Sequence, residues 1–208
     1  MRRTQKNTYH HGNLRHALIE AAIPVLRDKG VVGLSLRELA GKLGVSHGAP
    51  YRHFRNKTEL LEGIALAGYR ELAKICATSR ERYPLDPDKQ LFEAGIGYVE
   101  YVSGNREIAN LMFGGVLSLQ DCGPDLREAA DEAVAGLAAI IDNGKRAGLF
   151  GSRNTGDLVL TTLSAVHGLA LLISAGLVEP EQTSGKGLRM LCTSVYETLM
   201  QGLLERDT

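Results

Sequence analysis

A chain of 208 residues, 44% hydrophobic and 23% charged with no Trp, can bury a core in one large or two small domains, and it excludes an aromatic-lined groove for sugars or single strands. Net charge is zero, yet residues 1–60 hold 11 Lys/Arg against 4 Asp/Glu while the remainder holds 13 against 20, so only the first part suits a polyanion partner. Cys76, Cys122 and Cys192 are odd in number, far apart and without CxxC spacing, which argues against a disulfide framework or zinc knuckle and fits a reducing cytoplasm. No basic start followed by an apolar stretch opens the chain, so no signal peptide is expected.

Every long periodic segment reads as helix, and no β-branched alternation bounded by hairpin turns is present, so the fold class is all-α. Residues Asn13 to Lys29 put Leu14, Leu18, Ala21, Ala22, Val25 and Leu26 on one stripe, and Gly30 supplies the stop. Ser35 with Glu38 three residues on forms a capping box that opens a short second helix carrying Leu36, Leu39, Ala40 and Leu43 inward. Gly44 permits a tight turn, and Ser46 is placed to cap a third helix over His47 to Phe54, with Pro50 near its first turn. Asn56 and Glu59 make a second box-like cap, opening a long helix to about Arg82. Two short helices around a glycine turn, inside longer ones, are a helix-turn-helix pattern.

Beyond Pro84 and Pro87, helices are expected over Asp88 to Ser103, Glu107 to Phe113, Asp125 to Ala147, Asp157 to Ala175 and Gly187 to Arg206, with a loop from Gly114 to Pro124. Leu158 to Val178 runs for 21 residues without Asp, Glu, Lys or Arg, the length of a membrane span. It contains Thr161, Thr162, Ser164, His167, Gly168 and Ser174 and lacks basic or aromatic flanks. The reading is therefore a buried core helix, with no membrane partner.

The stretch from Leu34 to Leu61, with Leu43-Gly44-Val45, Ser46-His47, Tyr51-Arg52-His53-Phe54 and Asn56-Lys57-Thr58-Glu59-Leu60, resembles the DNA-binding segment of the TetR family of bacterial transcriptional repressors. Tyr9-His10-His11-Gly12-Asn13-Leu14-Arg15 and Val166-His167-Gly168 resemble a subgroup whose sensor domain carries Trp-His-Gly, with Val166 standing for the Trp. The resemblance implies an amino-terminal arm and helix-turn-helix domain over 1–57, joined by a long helix to an effector-binding and dimerisation domain over 58–208. It implies a dimer on a palindromic double-stranded operator, released by a small-molecule effector of unknown identity. The alternatives are a dimeric DNA binder without an effector, or an activator.

Gly48 and Ala49 are small enough for the backbone to approach the bases, Ser46, His47 and Arg52 can reach base edges or phosphates, and Arg52 is the candidate for a paired contact to guanine. Tyr51, His53 and Lys57 are placed by the resemblance at the DNA backbone, where such donors favour phosphate. Arg2, Arg3 and Lys6 form an arm that serves minor-groove contact or solubility. The resemblance wraps Tyr98, Tyr101, Met112, Phe113, His167 and Leu171 around a ligand cavity; as helical apolar positions they also read as plain core.

A homodimer is expected on the last two helices, through Leu188, Leu191, Val195, Leu199 and Gly202 on one and the small residues Ser164, Gly168 and Ala175 on the other. No Gly-rich phosphate loop, nucleophile elbow, HExxH or paired-carboxylate spacing occurs, so no enzyme and no cofactor is expected. His10, His11 and His16 lack a second shell, so no metal is expected either.

Overall fold

A computed structural model describes residues 14–151 and 153–201. Those residues are helical, with no strand among them. The chain divides into two compact units, residues 1–65 and 66–208. The division falls inside a helix, after the buried residues Leu60, Leu61 and Ile64.

In the first unit, α1 spans Leu14–Lys29 and α2 spans Leu36–Lys42, followed by a 3₁₀ turn over Pro50–Arg52 and the start of α3, Lys57–Arg82. Leu14, Leu18, Ala22, Val25 and Leu26 of α1 are buried with Leu36, Leu39 and Ala40 of α2 and with Phe54, one side of each helix facing a common core. Gly44 takes a φ of 66°, the left-handed conformation that lets the chain leave α2 and turn sharply.

The expected third helix is only a 3₁₀ turn. Pro50 has no N–H to bond the Ser46 carbonyl, so the segment closes mainly by three-residue steps, Ala49 to Ser46 at 2.9 Å, Arg52 to Ala49 at 3.2 Å and His53 to Pro50 at 2.9 Å, with one four-residue step, Phe54 to Pro50 at 3.0 Å, at its end. The expected capping box at Ser35 does not form. The Ser35 side chain makes no cap bond, and Glu38 instead pairs with Lys29 at 2.8 Å. At α3 the cap is present: Asn56 Oδ1 accepts from the Glu59 N–H at 2.9 Å, and the Glu59 carboxylate accepts the Arg55 N–H at 2.5 Å.

The second unit takes the rest of α3 with α4 (Pro87–Gly104), α5 (Arg106–Phe113), α6 (Pro124–Arg146), α7 (Thr155–Ser174) and α8 (Gly185–Gln201). Asp86 caps α4 by accepting from the Lys89 N–H at 3.0 Å, and Asn154 caps α7 by accepting from the Gly156 N–H at 2.7 Å. Helix α4 is central, packing against α5, α6, α7 and α8. Its core meets the others around Cys76, Leu91, Ala94, Leu137, Ile140, Ile141 and Val159.

One polar residue is fully enclosed there. Gln90, 1% exposed, donates to the Tyr83 carbonyl at 2.7 Å and accepts from Asn143 Nδ2 at 2.9 Å, while its own carbonyl accepts from Ser79 Oγ at 2.6 Å. Its amide and carbonyl groups are thus matched across three helices, as burial requires.

Helix α7 corrects the expectation of a helix enclosed in the core. It is long and apolar enough by composition to cross a membrane, with a mean hydropathy of 1.6, but only 17% of that stretch is buried. Val159, Thr162, Leu169 and Ala170 face inward. Leu160, Ser164, Leu171 and Ala175 share one outward stripe with half-buried Gly168.

Candidate DNA-reading face and effector cavity

Phe54, 1% exposed, anchors the segment that follows Gly44. The Arg15 guanidinium lies over its ring at 5.1 Å, and Gly63 leaves room for its edge, since a Cβ there would stand 2.9 Å from Phe54 Cε1. With Phe54 and Pro50 turned inward, Ser46, His47, Gly48, Tyr51 and Arg52 come to the surface together, while Ala49, His53 and Lys57 are half-buried.

Two contacts organise this face. Arg37 Nε donates to His47 Nδ1 at 2.9 Å. The Lys57 ammonium donates to the Val31 carbonyl at 3.1 Å, tying the start of α3 to the turn after α1 and leaving two of its three protons for other acceptors. Sequence reasoning missed Arg37 and Arg15, because each meets its ring across the fold rather than at a helical spacing. The arm residues Arg2, Arg3 and Lys6, with Tyr9 to Asn13, lie outside the described residues, as does Gly202.

Residues 18–64 match the profile described as bacterial regulatory proteins, tetR family. Over these residues the chain is similar to the amino-terminal segment of that family. Over 53 residues it is 47% identical to the tetracycline repressor protein class C of Escherichia coli, a match covering 26% of this chain and 24% of that protein. The chain thus spans about a quarter of the length of the curated relatives it matches first. A protein of unknown function from Rhodococcus sp. RHA1 is similar over 96% of this chain and 100% of its own, with 28% identity and a TM-score of 0.80. The TetR family transcriptional regulator PfmR from Thermus thermophilus shares the fold over 90% of this chain and 99% of its own, at 22% identity and a TM-score of 0.65.

The second unit holds a cavity of about 80 Å³ between α3, α4, α6 and α7, with Phe113 of α5 on its wall. Of the residues expected around a ligand, Tyr98 and Phe113 line it. His167 stands outside, its Nδ1 3.0 Å from the Tyr98 hydroxyl and its ring 4.8 Å from Phe113. Burial holds the His167 imidazole below its ordinary pKa and pushes the Tyr98 phenol up.

The remaining three do not reach the cavity. Met112 is buried against Gly68, and its carbonyl accepts from the Tyr69 hydroxyl at 2.9 Å. Tyr101 lies off the wall, with its phenol pushed up to about 12 by burial and, secondarily, by Glu71. Leu171 is 51% exposed on the outward stripe of α7. An apolar helix offers two faces, and periodicity alone could not tell Leu171 from Leu169, which is buried.

The expected dimer residues also divide. Ser164, Gly168 and Ala175 lie on the outward stripe of α7. On α8, Leu188 is 2% exposed within the protomer, and Val195 and Leu199 turn toward α4 and α7. Met190 and Glu197 are exposed on α8 instead. A wider cleft of about 370 Å³ beside Phe150 and Met200 has a mixed polar and apolar wall that includes Arg153 and Gln201. No cluster of three or more His, Cys, Asp or Glu is placed to hold a metal among the described residues.

Proposed function

We propose that this protein is a cytoplasmic, dimeric transcriptional repressor that binds a palindromic operator and is released by a small-molecule effector. The observation that carries the reading is the surface cluster of Ser46, His47, Gly48, Tyr51 and Arg52 above a buried Phe54, in a segment matching the tetR family. A short helical turn presenting small residues and donors is suited to a major groove, and the basic charge of residues 1–60 favours phosphate. The 3₁₀ turn is held by its neighbours rather than by its own ladder, so the face is preorganised by the core.

Val166, on the cavity wall, stands where the resembled subgroup carries Trp, so His167-Gly168 keeps two of that subgroup's three residues and Val166 departs from it. Helix α3 contributes Lys57 to the first unit and Tyr69, Leu72, Ile75 and Cys76 to the cavity in the second. One continuous helix shared by both sites is a physical route for coupling them.

Binding to a selected operator and to its single-base variants tests the reading. Arg52→Ala is expected to relax preference at one or two base pairs, by about 1–3 kcal/mol, because a bidentate donor to guanine carries sequence information. Lys57→Ala weakens all variants alike, and it also lowers the stability of the first unit because the Val31 carbonyl loses its partner. Equal loss on every variant for Arg52→Ala removes that residue from base reading.

The effector reading has its own test. Coupling free energies are reciprocal, so an effector that weakens operator binding by a factor in the range of roughly 5 to 150 must itself be weakened by operator by the same factor. Calorimetric titration with and without operator is expected to give those matched factors. Equal effector affinities in the two titrations leave the second unit with dimerisation alone.

A further inference from the structure

We propose that the cavity of the second unit takes an uncharged, hydrocarbon-like molecule, and that Gly95 and Val166 set how long that molecule can be. The proposal rests on the reading of this unit as effector-binding. No Asp, Glu, Lys, Arg or His lines the cavity. A second chamber of about 30 Å³, between α4, α7 and α8, shares Leu91, Gly95, Thr162 and Val166 with the first and is equally free of charge.

The phenols on the two walls are already committed. Tyr69 donates to the Met112 carbonyl at 2.9 Å, Tyr98 is paired with His167 at 3.0 Å, and Tyr196 donates to the Asp88 carboxylate at 2.6 Å. A charged ligand would therefore lose its hydration with no counter-ion and few free polar groups to replace it. The wall's own thiol shows the same penalty. Burial pushes Cys76 up to about 11 even though the Arg80 guanidinium acts in the opposite direction.

Size follows from the lining. Apolar cavities of about 150 Å³ stay dry and accept benzene, so the 80 Å³ chamber holds a small molecule, or a benzene-sized one once Phe113, 40% exposed on its wall, swings aside. A longer molecule must extend from the first chamber toward the second, past Leu91, Gly95, Thr162 and Val166, which line both. A Cβ on Gly95 would meet nothing closer than Val166 Cγ1, at 3.6 Å. That is ordinary contact, so alanine at 95 fits the fold while adding a methyl to the wall that the two chambers share.

The experiment is calorimetric titration of the full chain with benzene, n-butylbenzene, benzoate and benzylammonium at neutral pH. Both hydrocarbons are expected to bind, with the two ions at least about 100-fold weaker. Gly95→Ala is expected to weaken n-butylbenzene at least about tenfold more than it weakens benzene, because the butyl methylenes lose their burial. Benzoate or benzylammonium matching benzene, neither hydrocarbon binding, or Gly95→Ala weakening both hydrocarbons alike would each overturn the proposal. Operator affinity measured in parallel separates the two readings: hydrocarbon binding that leaves operator affinity unchanged supports the ligand class and overturns the regulatory reading alone.

Discussion

Phe54→Ala is expected to destabilise the first unit by about 3–5 kcal/mol and to abolish operator binding at ordinary temperature. The ring is 1% exposed, and it is the point where the segment after Gly44 is fastened to α1 and α3. Its removal leaves a cavity, takes the partner from the Arg15 guanidinium and frees the space that Gly63 reserves. Because stabilities of whole domains are only about 5–15 kcal/mol, a loss of this size leaves the first unit marginal. Thermal unfolding of the variant should show an early transition absent from the parent protein, with binding lost in the same range. Phe54→Leu, which keeps most of the volume, should recover the greater part of both. A Phe54→Ala protein that unfolds like the parent yet fails to bind would make Phe54 a contact residue instead of an anchor.

The second large effect concerns α7. Leu160 is 67% exposed and Leu171 51%, with Ser164, Gly168 and Ala175 on the same stripe and Met190 of α8 64% exposed. Large apolar side chains flanked by small ones make a surface on which a second helix pair can pack closely. Light scattering is expected to give about twice the 22.5 kDa chain mass at concentrations near ~1 μM, which requires an association free energy of at least ~8 kcal/mol. Leu160→Glu with Leu171→Glu should yield a monomer that keeps its helix content, since neither side chain is part of the protomer core. Operator affinity should fall by about 100-fold or more, because one reading face can no longer raise the effective concentration of the other. A parent protein of single-chain mass, or a doubly substituted one that remains a dimer, would remove α7 from the interface.

The helix order was legible in the sequence because most boundaries are marked chemically. Asn56 before Glu59, Pro87 at the start of α4 and the glycines at 30, 44 and 148 each act locally, and the observed ends follow them within a few residues. Two local readings failed where a competing interaction won. Glu38 is taken by Lys29 rather than by its own helix, and Pro50 denies the third segment an α-helical ladder. Of the residues the motif singled out, Ser46, His47, Gly48, Tyr51 and Arg52 are exposed together, while Ala49, His53 and Lys57 are half-buried. The cavity was legible only in part, since Tyr98 and Phe113 reach it while Tyr101, Met112 and Leu171 do not. Helical periodicity identifies an apolar stripe but not which neighbour covers it, and on α7 and α8 that ambiguity decided the outcome.

The contact between Arg37 and His47 carries a consequence for the letters of an operator. A guanidinium has no acceptor, so the 2.9 Å bond fixes His47 Nδ1 as the acceptor and leaves the remaining ring proton on Nε2. A histidine fixed in that tautomer offers only a proton outward. It matches purine N7, guanine O6 or thymine O4 and repels the exocyclic amines of adenine and cytosine. Arg52, five residues on, is likewise restricted to giving protons. Under the proposed reading, a base pair facing these two side chains should present acceptors, so cytosine is disfavoured on the strand they face, a bias set by Arg37, which itself need not touch the bases.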